Sequence, residues 1–453
     1  MTRRCTEENA PGFRGTRPRT ASLYTLGCRL NQADAALVAD DLRRVGFEIV
    51  PWGKAATLLV VNSCTVTRTA AAKTRQAVRA ARRRCPEAFL VVAGCGVNVD
   101  PAAWRRDPDV DLIIANPAKT TLSRYLPPDL RRPGKAEVVK TGYPAAGALF
   151  TEAGCGYFPD RTRANIKIQE GCDFACSYCI VPRARGPARS RAWDDILREA
   201  AEQAAAGCRE LVLTGVNIAQ YRDGRRNLAD LLPALLAVTP GARIRLSSTE
   251  PGPVLEGVVD VMAAEARVCR FLHLPLQYGE DRVLAAMNRR YRVADFAAVV
   301  DYAVARVPGL CIGSDIILGF PGETDETFER CWETVAAMPF AYLHIFSYSA
   351  RPGTAASTLP GRVDGRIVGS RRHRLEDLAS AKALAFAGAQ VGARLSVLTE
   401  TLNAAGHAEG WSDNYLRVEI VDSEAPPAPN VFVSVDVSGV RTGRAVYGRV
   451  QSG

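Results

Sequence analysis

Three strand-like runs in the first third of the chain each end beside a cysteine. The runs span residues 22–26, 57–62 and 89–93, the cysteines are Cys28, Cys64 and Cys95, and helical stretches at 33–45 and 67–84 follow the first two runs. Alternating strands and helices predict a parallel sheet with helices on its faces. Because the carboxyl ends of parallel strands open into a shared crevice, we expect the three thiols to lie close together.

A second alternation of strands and helices begins at residue 165. Its strand candidates are 165–169, 210–214, 243–247, 271–276, 311–318 and 342–348, with helical stretches at 193–206, 228–237, 254–264, 293–307 and 326–337. Six strand-helix units are fewer than the eight of a complete barrel, so a partial (β/α)6 TIM-like barrel is predicted. A basic helical stretch at 366–387 then precedes four short runs, at 394–401, 415–421, 431–437 and 445–450. These runs predict a small antiparallel β-barrel.

The chain has 453 residues, too many for one ordinary core, and we expect a multidomain α/β protein. The expected parts are a disordered basic arm (1–20), an amino-terminal α/β domain (21–126), a Pro- and Gly-bearing connection (127–157) with a strand at 137–140, the partial barrel (158–388) and the small β-barrel (389–453). No apolar run has the length of a membrane span or the form of a signal peptide, so we expect a cytoplasmic protein with no membrane partner. There, thirteen cysteines are expected to be thiols or metal ligands rather than disulfides.

A second cysteine triplet has the local spacing CxxxCxxC, formed by Cys172, Cys176 and Cys179. It follows the first predicted barrel strand, where the loop at the carboxyl end faces the mouth of a barrel. Three thiolates can hold a 4Fe–4S cluster and leave its fourth iron open to a small molecule. A structural zinc site is less favoured, because no further Cys or His follows closely.

The segment EGCDFACSYCIVPRARGPARSR resembles the cluster-binding loop of the radical S-adenosylmethionine (radical SAM) enzymes. The resemblance implies that Cys172, Cys176 and Cys179 bind a 4Fe–4S cluster that chelates S-adenosylmethionine and cleaves it to a 5′-deoxyadenosyl radical. Further matches are LTGVN, RLSSTEP, HLPLQ and DIILGFPGET at later strand ends. The candidate cofactor contacts are Tyr178, Gly215, Ser247, Ser248 and Asp315. Taken singly, the serines and the glycine are explained more readily by ordinary turn chemistry.

Three fragments around the first triplet, TLGCRLNQADA, VVNSCTVT and VVAGC, resemble the amino-terminal domain of the methylthiotransferases, a subgroup of the radical SAM enzymes. The resemblance implies that Cys28, Cys64 and Cys95 hold an auxiliary 4Fe–4S cluster that delivers sulfur. Taken singly, each cysteine fits a small buried apolar residue. No catalytic side chain is assigned beyond the cluster ligands.

The carboxyl-terminal segment GWSDNYLRVEI resembles the RNA-binding barrel module called TRAM. Trp411 and Tyr415 are therefore candidates for stacking on bases, and packing inside a small barrel is the alternative for both.

The branch most similar in TLGCRLNQ, RARGPARSR and WSDNYLRV converts N6-threonylcarbamoyladenosine beside the tRNA anticodon to its 2-methylthio derivative. The expected partners are a tRNA anticodon stem-loop, an electron donor of the flavodoxin or ferredoxin type and a sulfur donor. Alternatives are the branches that act on isopentenyladenosine in tRNA or on a ribosomal protein aspartate. A noncatalytic iron–sulfur RNA-binding protein is the alternative from another class.

Two basic segments are candidates for contacts with RNA phosphates in this chain of formal net charge +10. The first is one helical face within residues 65–86, formed by Arg68, Arg75, Arg79 and Arg82. The second follows the CxxxCxxC loop and contains Arg183, Arg185, Arg189 and Arg191, which are candidates for contacting phosphates or the cofactor. The alternatives are a solvated helix face for the first set and a salt-bridged loop for the second.

Overall fold

The structure is a computed structural model that describes residues 19–139, 142–155, 162–421 and 425–450. Most of the predicted basic arm, and Lys140 at the end of a predicted strand, lie outside the described residues. The chain divides into two compact units. The first comprises Met1–Phe158, Glu170–Asp173 and Ile180–Arg189, and the second comprises Pro159–Gln169, Phe174–Cys179 and Ser190–Gly453. Within the described ranges, no helix combines the length and the apolar character that crossing a membrane requires.

The first unit contains a six-stranded parallel sheet, which confirms the prediction for this part of the chain. Its strands are β1 (Thr20–Thr25), β2 (Glu48–Val50), β3 (Leu58–Ser63), β4 (Phe89–Gly94), β5 (Leu112–Ile114) and β6 (Glu137–Val139), in the order β2-β1-β3-β4-β5-β6. Its first four helices are α1 (Arg29–Arg44), α2 (Arg68–Arg84), α3 (Cys95–Val99) and α4 (Pro101–Arg105). Every residue of β3 and β4 is buried, as expected where apolar clusters cover both faces of a parallel sheet.

The chain then alternates between strands and helices. The elements are β7 (Leu149–Phe150), β8 (Arg163–Lys167), β9 (Gln169–Glu170), α5 (Val181–Arg185), β10 (Arg189–Arg191), α6 (Trp193–Ala205), β11 (Glu210–Thr214), β12 (Arg222–Asp223), β13 (Arg226–Asn227), α7 (Leu228–Val238), β14 (Arg243–Leu246), α8 (Val254–Ala264), β15 (Phe271–His273), α9 (Asp281–Ala286), α10 (Val293–Arg306), β16 (Cys311–Leu318), α11 (Asp325–Ala337), β17 (Phe340–Ser347) and α12 (Gly365–Gly388).

Six of these strands form the partial barrel of the second unit. Parallel pairing joins β8, β11 and β14 in one sheet and β15, β16 and β17 in another. Isolated parallel bridges from Ile244 to Val268 and from Ser248 to His273 connect the two sheets. The predicted (β/α)6 arrangement is therefore confirmed. Polar residues from distant parts of the sequence lie at the ends of its strands.

A closed five-stranded barrel follows in the second unit. Its strands are β18 (Arg394–Leu402), β19 (Ala408–Ser412), β20 (Arg417–Ile420), β21 (Phe432–Val440) and β22 (Ala445–Val450), in the order β18-β19-β20-β22-β21. The prediction of a wholly antiparallel barrel is wrong at one pair, because β20 and β22 run parallel. A closed ring with an odd number of strands cannot alternate direction throughout.

Strand β19 was absent from the prediction because its sequence, AEGWS, lacks a run of β-branched residues. Gly410 explains the composition. A Cβ atom at this position would lie 2.1 Å from the carbonyl oxygen of Leu398 on β18, so only glycine permits this approach of the two backbones.

Candidate active site

The first cysteine triplet lies at the carboxyl ends of three adjacent strands. Cys28 follows β1, Cys64 follows β3 and Cys95 follows β4. The chain runs from β1 to β2 on one side of the sheet and continues to β3 on the other, so a topological switch point lies between β1 and β3. Burial, assisted by the electrostatic influence of the neighbouring Cys95 and Cys28, raises the pKa of Cys64 to about 11. The structure therefore brings these three thiols within electrostatic reach of one another.

The surroundings of this triplet fit a metal cluster. A Cβ atom at Gly27, whose φ is +103°, would lie 2.9 Å from the Cys64 sulfur, so the adjoining backbone carries no side chain over the thiol. Cys28 occupies the N-cap position of α1, directly after β1. Three converging sulfur donors could serve as the ligand set of a cluster with one open iron.

The CxxxCxxC loop contributes residues to both units. In the first unit, the Cys172 backbone N–H donates to the carbonyl oxygen of Gly186 at 3.1 Å. In the second unit, the Cys179 N–H donates to the Cys176 carbonyl at 3.0 Å, and the Ser177 N–H donates to the Met287 carbonyl at 3.0 Å. Backbone hydrogen bonds thus fix the loop near each cysteine.

Arg289 is a site residue that the sequence analysis missed. Its guanidinium donates to the Cys176 sulfur and to the hydroxyl of Tyr178, each at 3.3 Å, and it pairs with the carboxylate of Glu250. Burial opposes the charge of Arg289, but Glu250 and Tyr178 outweigh it and keep its pKa above the usual range. The guanidinium therefore faces a predicted ligand sulfur. The only signal in the sequence was a basic stretch, RRYR, more than a hundred residues after the loop.

Two polar side chains at the strand ends of the partial barrel are buried without a partner. Among the described residues, both amide atoms of Asn217, after β11, and the Oγ of Ser247, after β14, make no hydrogen bond. Buried polar atoms nearly always have a partner, so these atoms fit contacts to a polar cofactor. Ser247 was a predicted contact, whereas Asn217 was seen only as part of the LTGVN motif.

The other predicted cofactor contacts have varied surroundings. A Cβ atom at Gly215 would lie 3.0 Å from the side chain of Gln169, so this glycine allows close packing against Gln169. Ser248 is exposed. Tyr178 is held by Arg289, as described above.

Asp315 lies between two histidines. It accepts hydrogen bonds from His273 Nε2 at 3.1 Å and from His344 Nδ1 at 3.2 Å. Burial disfavours the carboxylate, but these two hydrogen bonds prevail and lower the pKa of Asp315 to about 2. An ionised acceptor therefore stands inside the partial barrel on β16.

Comparison with known proteins gives matches over most of the chain. Residues 166–334 match the Radical SAM superfamily, and residues 20–115 match a family described as "Uncharacterized protein family UPF0004". The threonylcarbamoyladenosine tRNA methylthiotransferase MtaB of Bacillus subtilis (strain 168) is 32% identical over 412 residues, which cover 89% of this chain and 91% of that protein. MtaB of Thermotoga maritima is 34% identical over 437 residues, 95% of this chain and 99% of that protein.

The chain belongs to the MtaB-like radical SAM methylthiotransferases. Membership implies an iron–sulfur cluster and S-adenosylmethionine as cofactors. A tRNA-2-methylthio-N(6)-dimethylallyladenosine synthase of Anaplasma marginale is also similar, with 32% identity over 431 residues, 92% of this chain and 94% of that protein. Among solved structures, the radical S-adenosylmethionine methyltransferase TsrM from Kitasatospora setae matches with a TM-score of 0.55 and 17% identity, covering 75% of this chain and 74% of that one. This last likeness concerns the fold alone.

In this methylthiotransferase the predicted basic face of α2 is only partly exposed. Arg68, Arg75 and Arg79 are exposed. Arg82 is buried and donates to the Asp111 carboxylate at 2.6 Å. The prediction that Arg82 contacts a phosphate is therefore wrong, because its guanidinium is already bonded inside the protein.

The arginines after the CxxxCxxC loop also differ from one another. Arg183 is exposed, whereas Arg185, Arg189 and Arg191 are buried. Arg191 pairs with Asp195 and Glu199. The prediction of phosphate contacts is wrong for Arg185 and Arg191, for which the salt-bridged alternative holds. Arg189 donates to the Arg185 carbonyl at 3.2 Å, and its contact with a phosphate or the cofactor stays a prediction.

Trp411 and Tyr415 are half-buried and pack against protein. Their rings stack with centroids 4.7 Å apart, and the Tyr415 ring lies 4.4 Å from the ring of Phe271 on β15. Arg243 donates to the carbonyl of Trp411 at 2.9 Å. These contacts favour the packing alternative, so base stacking is not needed to explain either ring.

Proposed function

We propose that this enzyme converts N6-threonylcarbamoyladenosine beside the tRNA anticodon to its 2-methylthio derivative, using S-adenosylmethionine and two 4Fe–4S clusters. The observation that carries the proposal is the convergence of Cys28, Cys64 and Cys95 at the switch point of one sheet, in a chain that also holds the CxxxCxxC loop. The MtaB relatives, whose names state this activity, support the choice of substrate.

Different residues of the chain have different roles in this reaction. When bound, the loop cluster would supply the electron that cleaves S-adenosylmethionine, and the auxiliary cluster would supply the sulfur. Arg289 holds the Cys176 sulfur, and Asn217 and Ser247 offer buried polar atoms to S-adenosylmethionine. Radical chemistry suits the reaction, because the C2–H bond of adenine is neither acidic nor electrophilic and no side-chain base could activate it.

Binding of tRNA is assigned to exposed cations of the first unit. Arg68, Arg75 and Arg79 share the exposed face of α2, and α2 contains no acidic residue. Arg183 is exposed on α5. Arginine contacts to phosphates supply affinity without base specificity. The five-stranded barrel is proposed to be a TRAM module, without a role for Trp411 or Tyr415 in stacking.

The remaining assignments follow from this activity. The enzyme would act in the cytoplasm with an electron donor of the flavodoxin or ferredoxin type and a sulfur donor. We further propose the domain limits 21–126, 158–388 and 389–453 for the amino-terminal domain, the partial barrel and the TRAM module.

The test is mass spectrometry of tRNA nucleosides from cells with and without the gene. Loss of 2-methylthio-N6-threonylcarbamoyladenosine alone is the expected result. Dimethylallyladenosine is the second candidate substrate, since the Anaplasma marginale synthase is 32% identical to this chain. Loss of the 2-methylthio derivative of dimethylallyladenosine, with 2-methylthio-N6-threonylcarbamoyladenosine still present, would establish the second candidate and refute the first.

A further inference from the structure

The Cys95 sulfur receives two N–H groups from buried side chains of the first unit. Arg185 Nε lies 3.3 Å from the Cys95 sulfur, and Asn116 Nδ2 lies 3.6 Å from it. Arg185 is 2% exposed and Asn116 is 8% exposed. Both donors therefore act on this sulfur away from bulk water, where a hydrogen bond is electrostatically stronger.

The guanidinium of Arg185 is held in place by anchored acceptors. Its Nη1 donates to Glu170 at 2.6 Å, and its Nη2 donates to Asp34 at 3.1 Å and to the side-chain oxygen of Asn31. Asp34 also pairs with Lys119 at 2.5 Å, and both side chains are at most 1% exposed. These acceptors hold the two Nη atoms of the planar guanidinium, and the third nitrogen, Nε, is directed at Cys95.

The lysine of this network also orients the second donor. Lys119 Nζ donates to Asn116 Oδ1 at 2.7 Å, so the amide of Asn116 turns its nitrogen towards Cys95. The same nitrogen donates to the carbonyl of Ala184 at 2.6 Å. One connected network therefore aims both N–H groups at one sulfur.

Stability alone does not account for such a network. Burying two cations and two carboxylates costs desolvation free energy that well-packed apolar residues would not incur. Two N–H donors directed at one sulfur stabilise it if it carries negative charge, as the sulfur of a cluster ligand does.

We propose that Arg185 and Asn116 are positioning residues that hydrogen-bond the Cys95 sulfur and thereby set the reduction potential of the auxiliary cluster. This inference rests on the proposed function, which places a cluster on Cys28, Cys64 and Cys95. Hydrogen bonds to a ligand sulfur compensate the extra negative charge of the reduced cluster, so they make its reduction potential less negative. Arg185 lies six residues after Cys179 in the sequence, so one segment provides the thiols of one triplet and a donor to the other.

The test uses full-length protein in which Cys172, Cys176 and Cys179 are alanine, so that only the auxiliary cluster can assemble. After anaerobic reconstitution, iron and sulfide are counted, and the midpoint potential is measured by a redox titration followed by electron paramagnetic resonance. Arg185→Lys keeps the charge facing Glu170 and Asp34 but loses the fixed Nε donor. Asn116→Ala removes the other donor. Arg183→Gln, at an exposed position on the same helix, is the control.

Both Arg185→Lys and Asn116→Ala should shift the midpoint potential to more negative values at unchanged iron content, while Arg183→Gln should match the parent protein. If Arg185→Lys does not fold, Asn116→Ala still gives the measurement. Potentials equal to that of the parent in the folded variants would overturn the inference. Absence of a cluster from the parent protein would instead refute the auxiliary cluster of the proposed function, so the two failures are distinguishable.

Discussion

Arg82 and Arg79 lie one helical turn apart on α2. The structure predicts that replacement of Arg82 by alanine lowers stability, whereas replacement of Arg79 by alanine lowers affinity for tRNA. The Arg82 guanidinium donates to the Asp111 carboxylate at 2.6 Å and to the carbonyl oxygens of Asp109, Pro86 and Ala88 at distances from 2.7 to 3.2 Å. Its side chain is 10% exposed and that of Asp111 is 2% exposed. Arg82→Ala therefore removes one partner of a buried ion pair.

Breaking a buried pair costs about 3–5 kcal/mol, because the other charge remains buried without compensation. Asp111 would keep hydrogen bonds from the Leu90 N–H at 2.8 Å and from Arg132 at 3.0 Å, so we expect the lower end of that range. With a urea dependence of about 2 kcal/mol per M, a loss of about 3 kcal/mol lowers the unfolding midpoint by about 1.5 M. The measurement is urea unfolding of the full-length protein, followed by circular dichroism.

Arg79→Ala is the matched variant, since Arg79 is exposed on the same helix. Its free energy of unfolding should change by no more than about 0.5 kcal/mol. Its affinity for tRNA should fall instead, and the slope of log affinity against log salt should become shallower by about 0.7–0.9. If Arg82→Ala instead kept the wild-type unfolding midpoint and weakened tRNA binding as Arg79→Ala does, Arg82 would contact tRNA rather than stabilise the fold.

Three further outcomes follow from the site. Replacing Cys28, Cys64 and Cys95 together by alanine should abolish methylthiolation of tRNA but retain 5′-deoxyadenosine formation; sulfur insertion by that variant would contradict the assignment. Arg289→Met should reduce 5′-deoxyadenosine formation by at least about tenfold, since a hydrogen bond to a charged group contributes about 1.5–3 kcal/mol; an unchanged rate would exclude a role at the sulfur. Asp315→Asn should lower the free energy of unfolding at pH 7 by about 2 kcal/mol, because the folded pKa of about 2 lies below the ordinary value of 3.8. This contribution is present above pH 3.8 and disappears as the pH falls through 2, so stability curves of the two proteins should converge there.

The strand ends of the parallel sheets could be predicted from the sequence because they depend on local patterns. Buried apolar runs such as LLVVNS and FLVVAG indicate strands, and in a parallel sheet their carboxyl ends share one edge. The meeting of Cys28, Cys64 and Cys95 follows from that rule alone. No knowledge of side-chain contacts was needed.

The contacts of the arginines could not be predicted in this way. Helical spacing shows which residues share a face of the helix, but it does not show which segment packs on that face. Arg68, Arg75 and Arg79 share their face with Arg82, yet the segment at 109–111 covers only the last turn of α2. Similarly, the spacing of RARGPARSR carries no information about Cys95, which lies 90 residues before Arg185. Contacts of this kind depend on the packed fold.

Each cysteine triplet has a buried arginine on one of its sulfurs, and the chemistry of the side chain explains the choice. Arg185 contacts Cys95 and is held by Glu170, while Arg289 contacts Cys176 and is held by Glu250. A guanidinium can bond a carboxylate with one edge and a sulfur with another, whereas the ammonium of lysine is a single point charge without a fixed direction. The glutamate keeps the guanidinium oriented and offsets its charge, and a metal-bound thiolate would be a second negative partner. This pairing of arginine with glutamate therefore directs a donor at one sulfur of each triplet, whether or not that sulfur is charged.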